Sequence, residues 1–280
     1  MAGCVGMRHS AGMVIKKSTW IDPEEKERGN KLVHFGFQKV PEREKTKRVR
    51  DHFDIVARKY DLMNTLLSFG THYLWKRTAV KLAGLRAGDS VIDVCGGTGD
   101  LSVLAVKRVR PLGSVVLYDI NRTMMEAGKR KPSNAAARKE ILYVQGDAER
   151  ISFGSEQFDA AVVGFGIRNL THMEHGFREM WRVLKPGGRF MCLEFSRPAA
   201  PLFRRLYDLY SFRIMPLLGL LFAGSRQAYT YLPESIRMFP SPREITALLE
   251  RIGFRRVICR TLTNGIAVVH VGIKSSEPVP

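Results

Sequence analysis

The sequence predicts an α/β fold: a mostly parallel sheet with helices on both faces, ended by an antiparallel hairpin. Three observations carry this. From Ser90 onward, apolar strand-like runs alternate with amphipathic helical runs, the pattern of βαβ units. A glycine turn, Gly96-Gly-Thr-Gly99, joins the first of these strands to the first helix. Two β runs with no helix between them end the pattern, and Asn264-Gly265 in their connection is a turn signal.

Taken in order, residues 1–30 are poorly patterned. In 41–60, Val49, Phe53, Val56 and Tyr60 fall at i, i+4, i+7 and i+11, one apolar stripe on a charged helix. A second helix is expected over 73–82, before the turn Ala87-Gly-Asp89. Strands are expected at 91–95, 115–119, 141–144, 158–163 and 189–195, and helices at 100–109, 122–130, 174–184 and 242–252. Lys185-Pro-Gly-Gly188 stops one helix and turns the chain into the next strand. The final β runs are 254–259 and 266–272. Between them and the earlier units lies an insertion, 199–240, dense in large apolar and aromatic residues with Arg204, Arg205 and Arg213 interleaved. Core packing is one reading of it; a lid over a long apolar ligand, seated on a membrane surface, is the other. The organisation is a basic segment, 1–30, followed by one domain, 31–280, with a helical cap at 41–85 and the insertion at 199–240.

A chain of 280 residues can bury a full core. Its formal charge of +18, from 45 basic and 27 acidic residues, favours polyanions, either nucleic acid or anionic lipid. Cys4, Cys95, Cys192 and Cys259 form no C-x-x-C pair. Three of them lie in strand-like apolar runs, which points to buried thiols in a reducing compartment. Arg8, Lys16 and Lys17 precede the first acid, Asp22. That suits a mitochondrial targeting segment or a disordered basic tail. No membrane-spanning helix is expected, since the candidate 214–225 offers 12 residues without charge and a span needs about 20.

The glycine turn carries the chemistry. Glycines admit a ligand where a Cβ would clash, and Asp119, at the end of the second strand, can accept from a ribose diol. A dinucleotide fingerprint would need a third glycine where Ser102 stands, and no G-x-x-x-x-G-K-[ST] loop exists. The run Asp93-Val-Cys-Gly-Gly-Thr-Gly-Asp100 resembles the loop of S-adenosylmethionine-dependent methyltransferases. A tight turn without a ligand is the bland alternative. Against it stand Asp100, Asp119 and the later Asp147, all at strand ends, where open α/β sheets bind ligands.

Further segments narrow the resemblance: Lys59-Tyr-Asp-Leu-Met-Asn64, Ser68-Phe-Gly-Thr-His72, Phe165-Gly-Ile-Arg-Asn169, Cys192-Leu-Glu-Phe-Ser196 and Tyr207-Asp-Leu-Tyr-Ser-Phe212. Over roughly 32–274 the chain resembles the C-methyltransferase family of ubiquinone and menaquinone biosynthesis. Its Phe-Gly-Ile-Arg-Asn and Cys-Leu-Glu-Phe-Ser forms look like the eukaryotic ubiquinone branch. The resemblance departs at Cys95, Gly164, Thr65 (where Asp is usual), Ser225, Ala228 and Pro233.

The resemblance implies a class I, Rossmann-like methyltransferase that uses S-adenosylmethionine for C-methylation of a polyprenylated methoxy-benzoquinol. It implies a peripheral place on the matrix face of the mitochondrial inner membrane. Partners would be an anionic membrane surface and other quinone-biosynthesis proteins; a homodimer is allowed and nucleic acid is not expected. Gly97 and Gly99 would admit the donor's amino-acid part, with Thr98 and Asp100 bonding its carboxylate and amine. Asp119 would take the ribose, Asp147 and the Ala148 amide the adenine edge, and Gly164 would lie beside the cofactor. Transfer to a ring carbon needs developing phenolate charge to be stabilised and the carbon to be aligned. Arg168 would do the first and Asn169 would orient the ring oxygen, while Tyr60, Asn64 and His72 close the pocket from the cap. His72 is also the group that could titrate near pH 7. His172 and His175, with no third ligand evident, read as a solvated helix start, so no metal is expected. Demethylmenaquinone methylation, an RNA methyltransferase and a mainly structural subunit are the competing readings.

Overall fold

The structure, a computed structural model, describes residues 31–275. The basic segment 1–30 and Cys4 lie outside the described residues.

Seven strands form the main sheet, in the order β5-β4-β3-β6-β7-β9-β8. They are β3 (Ser90–Val94), β4 (Ser114–Asp119), β5 (Ile141–Gln145), β6 (Phe158–Gly164), β7 (Leu184–Phe195), β8 (Phe254–Leu262) and β9 (Ala267–Lys274). The first five run parallel, and β9 and β8 close the sheet antiparallel. The order reverses between β3 and β6, which opens a crevice at their carboxyl ends, the ligand position of such sheets. Residues 185–188 bulge out of β7, because Leu184 pairs with Phe158 while Arg189 pairs with Ala160. Both faces are covered. Val91, Leu117, Val162 and Met191 pack on one side, and Ile92, Val116, Ala161 and Phe190 on the other.

Helices α4 (Asp100–Val109), α5 (Arg122–Arg130), α6 (Met173–Val183) and α10 (Pro242–Ile252) lie where the periodicity placed them. The α10 start carries a reciprocal cap between Ser241 and Glu244, which satisfies two of the orphan amides there.

The cap is less regular than the stripe suggested. A hairpin, β1 (Leu32–Phe35) and β2 (Gln38–Pro41), precedes it, and the apolar pattern gives no sign of this hairpin. Helix α1 (Glu42–Val56) ends in a tight turn at Ala57–Lys59, and Tyr60 starts α2 (Tyr60–Leu67) instead of continuing α1. The break re-aims Tyr60, and Val56, Met63 and Leu67 pack on Met215, Ala228 and Tyr229 of the insertion. Helix α3 (Thr71–Leu82) starts two residues before the expected bound, behind Gly70 at φ 75°.

The insertion packs on the cap and leaves its other side exposed. Helix α7 (Pro201–Leu209), α8 (Met215–Leu218) and two wide-turn segments form one helical rod, Pro201–Ala223, followed by α9 (Arg226–Met238). Contrary to the sequence reading, the rod is long and apolar enough by length and composition to cross a membrane. It gains that length by running on from the uncharged stretch back through Arg213 and Asp208. Its inner side buries Ser211, Met215 and Gly219, with Met215 packed on the cap and Gly219 against Tyr229, while Leu202 and Leu221 stand 71% and 69% exposed. Ser225 caps α9 through the Ala228 amide, and the helix continues past Pro233. At Gly219 a Cβ would lie 2.2 Å from the Tyr229 ring. Gly219→Ala should therefore cost about 1–3 kcal/mol of stability, readable as a lowered Tm.

The thiols correct one expectation. Cys192 is buried and Cys95 half-buried, but Cys259 is exposed. It sits on β8, the edge strand, where one side of the alternation faces solvent.

Candidate active site

The crevice is built first by the glycine turn. Gly97 and Gly99 hold φ of 54° and 83°, the left-handed region that favours glycine. The Gly97 amide donates to Asp119 Oδ2 at 2.8 Å, and the Asn121 amide to Oδ1 at 2.7 Å. Asp119 is only 9% exposed, and burial pushes its carboxyl up to about 6 despite these donors. Two of its roughly four acceptor positions remain for a diol. Around it, Gly97, Ile120, Asp147, Ala148 and Gly164 line one cavity of about 80 Å³. Asp147 caps the turn, accepting from the Glu149 amide at 2.9 Å. Packing requires glycine at two positions on its wall: a Cβ at Gly164 would come within 2.6 Å of Leu101, and one at Gly146 within 2.0 Å of the Tyr118 hydroxyl.

Thr98, Gly99 and Asp100 do not line this cavity. Asp100 meets Lys76 at 2.5 Å and Lys131 at short range, and Lys131 also pairs with Asp61 at 2.9 Å. Thr98 donates to Asp61 at 3.0 Å. Burial would raise the Asp100 carboxyl, but the two lysines outweigh it and hold it at about 2. This cluster ties cap to glycine turn, so the assigned contacts of Thr98 and Asp100 to a donor's carboxylate and amine are not open here. The clustering of Lys76, Lys131 and Asp61 around Asp100 and Thr98 was not legible in the sequence because they are brought together from three separate elements.

Asp93, inside β3, is fully buried. Ser102 donates to its Oδ2 at 2.6 Å, and Oδ1 has no partner among the described residues. Burial pushes this carboxyl up to about 7, above its unfolded value of about 3.9. The folded state therefore holds the proton more tightly, and this group's contribution to stability falls as pH rises from about 4 to about 7. Asp93→Asn, which keeps an acceptor for Ser102, should raise Tm at pH 8, with the gain shrinking toward pH 4 in a pH series of melts.

A second cavity, about 400 Å³, adjoins the first, and Tyr60 and Phe165 line both. Its walls are largely aromatic and aliphatic, from Trp75, Phe195, Phe203, Leu206, Tyr207 and Tyr210. Tyr60, Asn64, His72, Lys76 and Arg168 are among its polar points. Arg168 is nearly buried. Its Nη1 donates to Glu194 Oε1 at 2.9 Å and to the Phe165 carbonyl, and its Nε to Ser235 at 3.4 Å. Burial works against its charge, and Glu194 more than offsets that. Asn169 turns the other way. Its Oδ1 accepts from the Tyr231 hydroxyl at 3.0 Å, and it borders the first cavity, not the second. The expectation that Asn169 orients a ring oxygen is corrected accordingly: the side chain borders the nucleoside cavity and not the chamber. His72 is buried, and burial, with Lys76 and Lys131 nearby, lowers its imidazole to about 4 against the pull of Asp100. It does not titrate near pH 7.

Residues 41–274 match the ubiE/COQ5 methyltransferase family. The chain belongs to that family. It is 46% identical over 253 residues, covering 90% of this chain and 99% of its relative, to the ubiquinone/menaquinone biosynthesis C-methyltransferase UbiE of Pseudomonas entomophila. With UbiE of Pseudomonas putida it shares 47% over 242 residues, 86% of this chain and 94% of that one. Among solved structures, a SAM-dependent methyltransferase of Aquifex aeolicus superposes with TM-score 0.54 at 17% identity, covering 76% of this chain and 97% of that one. The [4+2]-cyclase SpnF does so with TM-score 0.60 at 13%, covering 83% and 97%. These two show the fold, a class I methyltransferase sheet. Membership in the ubiE/COQ5 family makes the chain a methyltransferase with S-adenosylmethionine as its donor. The residues fit that donor, because the glycine-lined cradle and the half-used Asp119 carboxylate lie where a nucleoside would rest.

Proposed function

We propose that this enzyme C-methylates the ring of a polyprenylated benzoquinol in ubiquinone biosynthesis. The observation that carries the reading is the meeting of two cavities at Tyr60 and Phe165. One is the nucleoside cradle; the other is an apolar chamber with a buried guanidinium on its wall. Relatives at 45–47% identity named for ubiquinone and menaquinone biosynthesis support it.

The donor supplies an electrophilic methyl group; the chain's own residues do the rest. Asp119 anchors the donor's ribose, and the Ala148 amide together with Asp147 reads the base. The aromatic walls flank a flat ring and exclude water. Arg168, held by Glu194, Ser235 and the Phe165 carbonyl, stabilises the oxyanion that develops as the ring carbon attacks. Arg168 itself stays protonated, since Glu194 more than offsets the cost of burying its charge.

A chamber of about 400 Å³ is at the lower end of drug-sized sites, so it takes the ring and the first part of a chain. Phe203, Leu206 and Phe69 line it and are also 36%, 58% and 82% exposed on the outer apolar face. A prenyl tail leaving there would enter a membrane seated on the Pro201–Ala223 rod, with Arg204, Arg205 and Arg213 favouring anionic lipid. Together with the basic first 21 residues, this supports peripheral placement on the matrix face of the mitochondrial inner membrane. Assembly with other quinone-biosynthesis proteins or with a second copy belongs to the same reading.

The test is a panel of short-chain benzoquinols and naphthoquinols, each reduced and oxidised, read by product mass. A gain of one methylene on reduced benzoquinol alone is expected. Transfer to the naphthoquinol alone moves the enzyme to menaquinone biosynthesis, and no transfer to any reduced ring overturns the reading.

A further inference from the structure

A ring hydroxyl that feeds electron density to a ring carbon must release its proton. The titratable side chains on the chamber wall are Tyr60, His72, Lys76, Arg168, Tyr207 and Tyr210. Arg168 and Lys76 are cations already engaged with Glu194 and Asp100. Burial pushes Tyr207 and Tyr210 up, away from the phenolate form that could accept.

His72 differs. Its Nε2 lies 3.2 Å from Thr65 Oγ1, and the Thr65 hydroxyl directs its one proton to the Asp61 carbonyl at 2.9 Å. Thr65 Oγ1 therefore faces His72 as an acceptor, and Nε2 must carry the imidazole hydrogen. That leaves Nδ1 as a lone pair. Nδ1 is buried without a hydrogen-bond partner among the described residues, and the side chain is 3% exposed on the chamber wall. Buried polar atoms are nearly always paired, so an unpaired acceptor on a residue that lines the chamber marks a place for a ligand's donor.

We propose that His72 Nδ1 accepts the ring hydroxyl and takes its proton during methyl transfer, with Thr65 as the positioning residue that fixes the tautomer. The inference rests on the quinol reading above. In balance, the ring-carbon–methyl bond forms as the sulfur–methyl bond breaks, and the hydroxyl O–H electron pair becomes a carbonyl while its proton moves to Nδ1. The resulting dienone then loses its ring C–H proton to water and regains a proton on oxygen from Nδ1, so one proton is released per turnover. The hydroxyl becomes strongly acidic only as the carbon–methyl bond forms, so a weak base suffices at that moment. The charged groups around His72 are Lys76 on its own helix, Asp100 at the start of α4 and Lys131 after α5. Asp61 on α2 is paired with Lys131, and Tyr73 reaches the same Thr65 oxygen. Burial, helped by Lys76 and Lys131, keeps the imidazole neutral above about pH 5 against the pull of Asp100, its pKa lying at about 4.

The test begins with 15N-histidine NMR of the full chain at pH 7, without donor or quinol. The Nε2–H tautomer is expected for His72; an Nδ1–H tautomer overturns the proposal. Thr65→Val should release that preference and lower kcat about tenfold, while Thr65→Asp, which keeps an acceptor, should restore both. His72→Gln should lower kcat about 10²–10³-fold with S-adenosylmethionine affinity unchanged, and a wild-type kcat overturns the proposal. Should His72→Gln fail to fold, the tautomer and the Thr65 pair decide. If wild-type protein methylates no quinol, the quinol reading fails while the tautomer result still stands.

Discussion

Asp119→Ala is expected to abolish S-adenosylmethionine binding at any practical concentration. The carboxylate has two roles. It accepts the Gly97 and Asn121 amides that shape the turn, and its remaining lone pairs face the cradle. Hydrogen bonds to a charged group contribute about 1.5–3 kcal/mol each. Losing two to the ribose alone weakens binding by roughly 10²–10⁴-fold, before the two orphaned amides are considered. Asp119→Asn keeps an acceptor and should lie between. Because burial holds the wild-type carboxyl at about 6, affinity should rise with pH through that value and level off above it. Isothermal titration calorimetry on material shown to be folded by circular dichroism reads all three.

Arg168→Ala should fail for a different reason: donor binding survives and chemistry does not. Removing a preorganised charge from a dry chamber is worth roughly 10²–10³-fold in kcat. The same change strands Glu194, which is 2% exposed and has Arg168 as its ion-pair partner. Breaking a buried pair on one side costs about 3–5 kcal/mol, so Tm should drop as well. The double change Arg168→Met with Glu194→Leu separates the two effects. It should regain most of the lost stability and none of the lost kcat. Recovery of kcat in the double variant would show that Arg168 acts on the fold alone.

The sheet was legible because its signals are local. Val91, Ile92 and Val94 form an apolar strand, Gly97 and Gly99 demand a turn, and Asp119 ends the next strand in an acid; each can be read within a few residues. The cap hairpin was hidden because Leu32–Phe35 and Gln38–Pro41 are edge-like and alternate weakly, with Leu32 more than half exposed. The break after Val56 escaped because the stripe continues in register through Tyr60, and only packing on the insertion turns the chain. Site residues divide the same way. Those of the cradle sit next to their motif, so Gly97, Asp119, Asp147, Ala148 and Gly164 converge as expected. Asn169 was misplaced because its partner, Tyr231, lies 62 residues away. Glu194 stood inside a recognised motif, yet only its 2.9 Å contact with Arg168 reveals what it does. Thr65 looked like a departure from the family pattern, and its use became visible only beside His72.

The most direct trial of the two-cavity account uses S-adenosylmethionine labelled with 13C in its methyl group, the full chain, and a reduced short-chain benzoquinol. Carbon NMR of the product should show one labelled methyl bonded to a ring carbon, and none when the ring is supplied oxidised. A labelled methyl on oxygen, or no transfer while both ligands are demonstrably bound, would contradict the placement of donor and ring on either side of Tyr60 and Phe165.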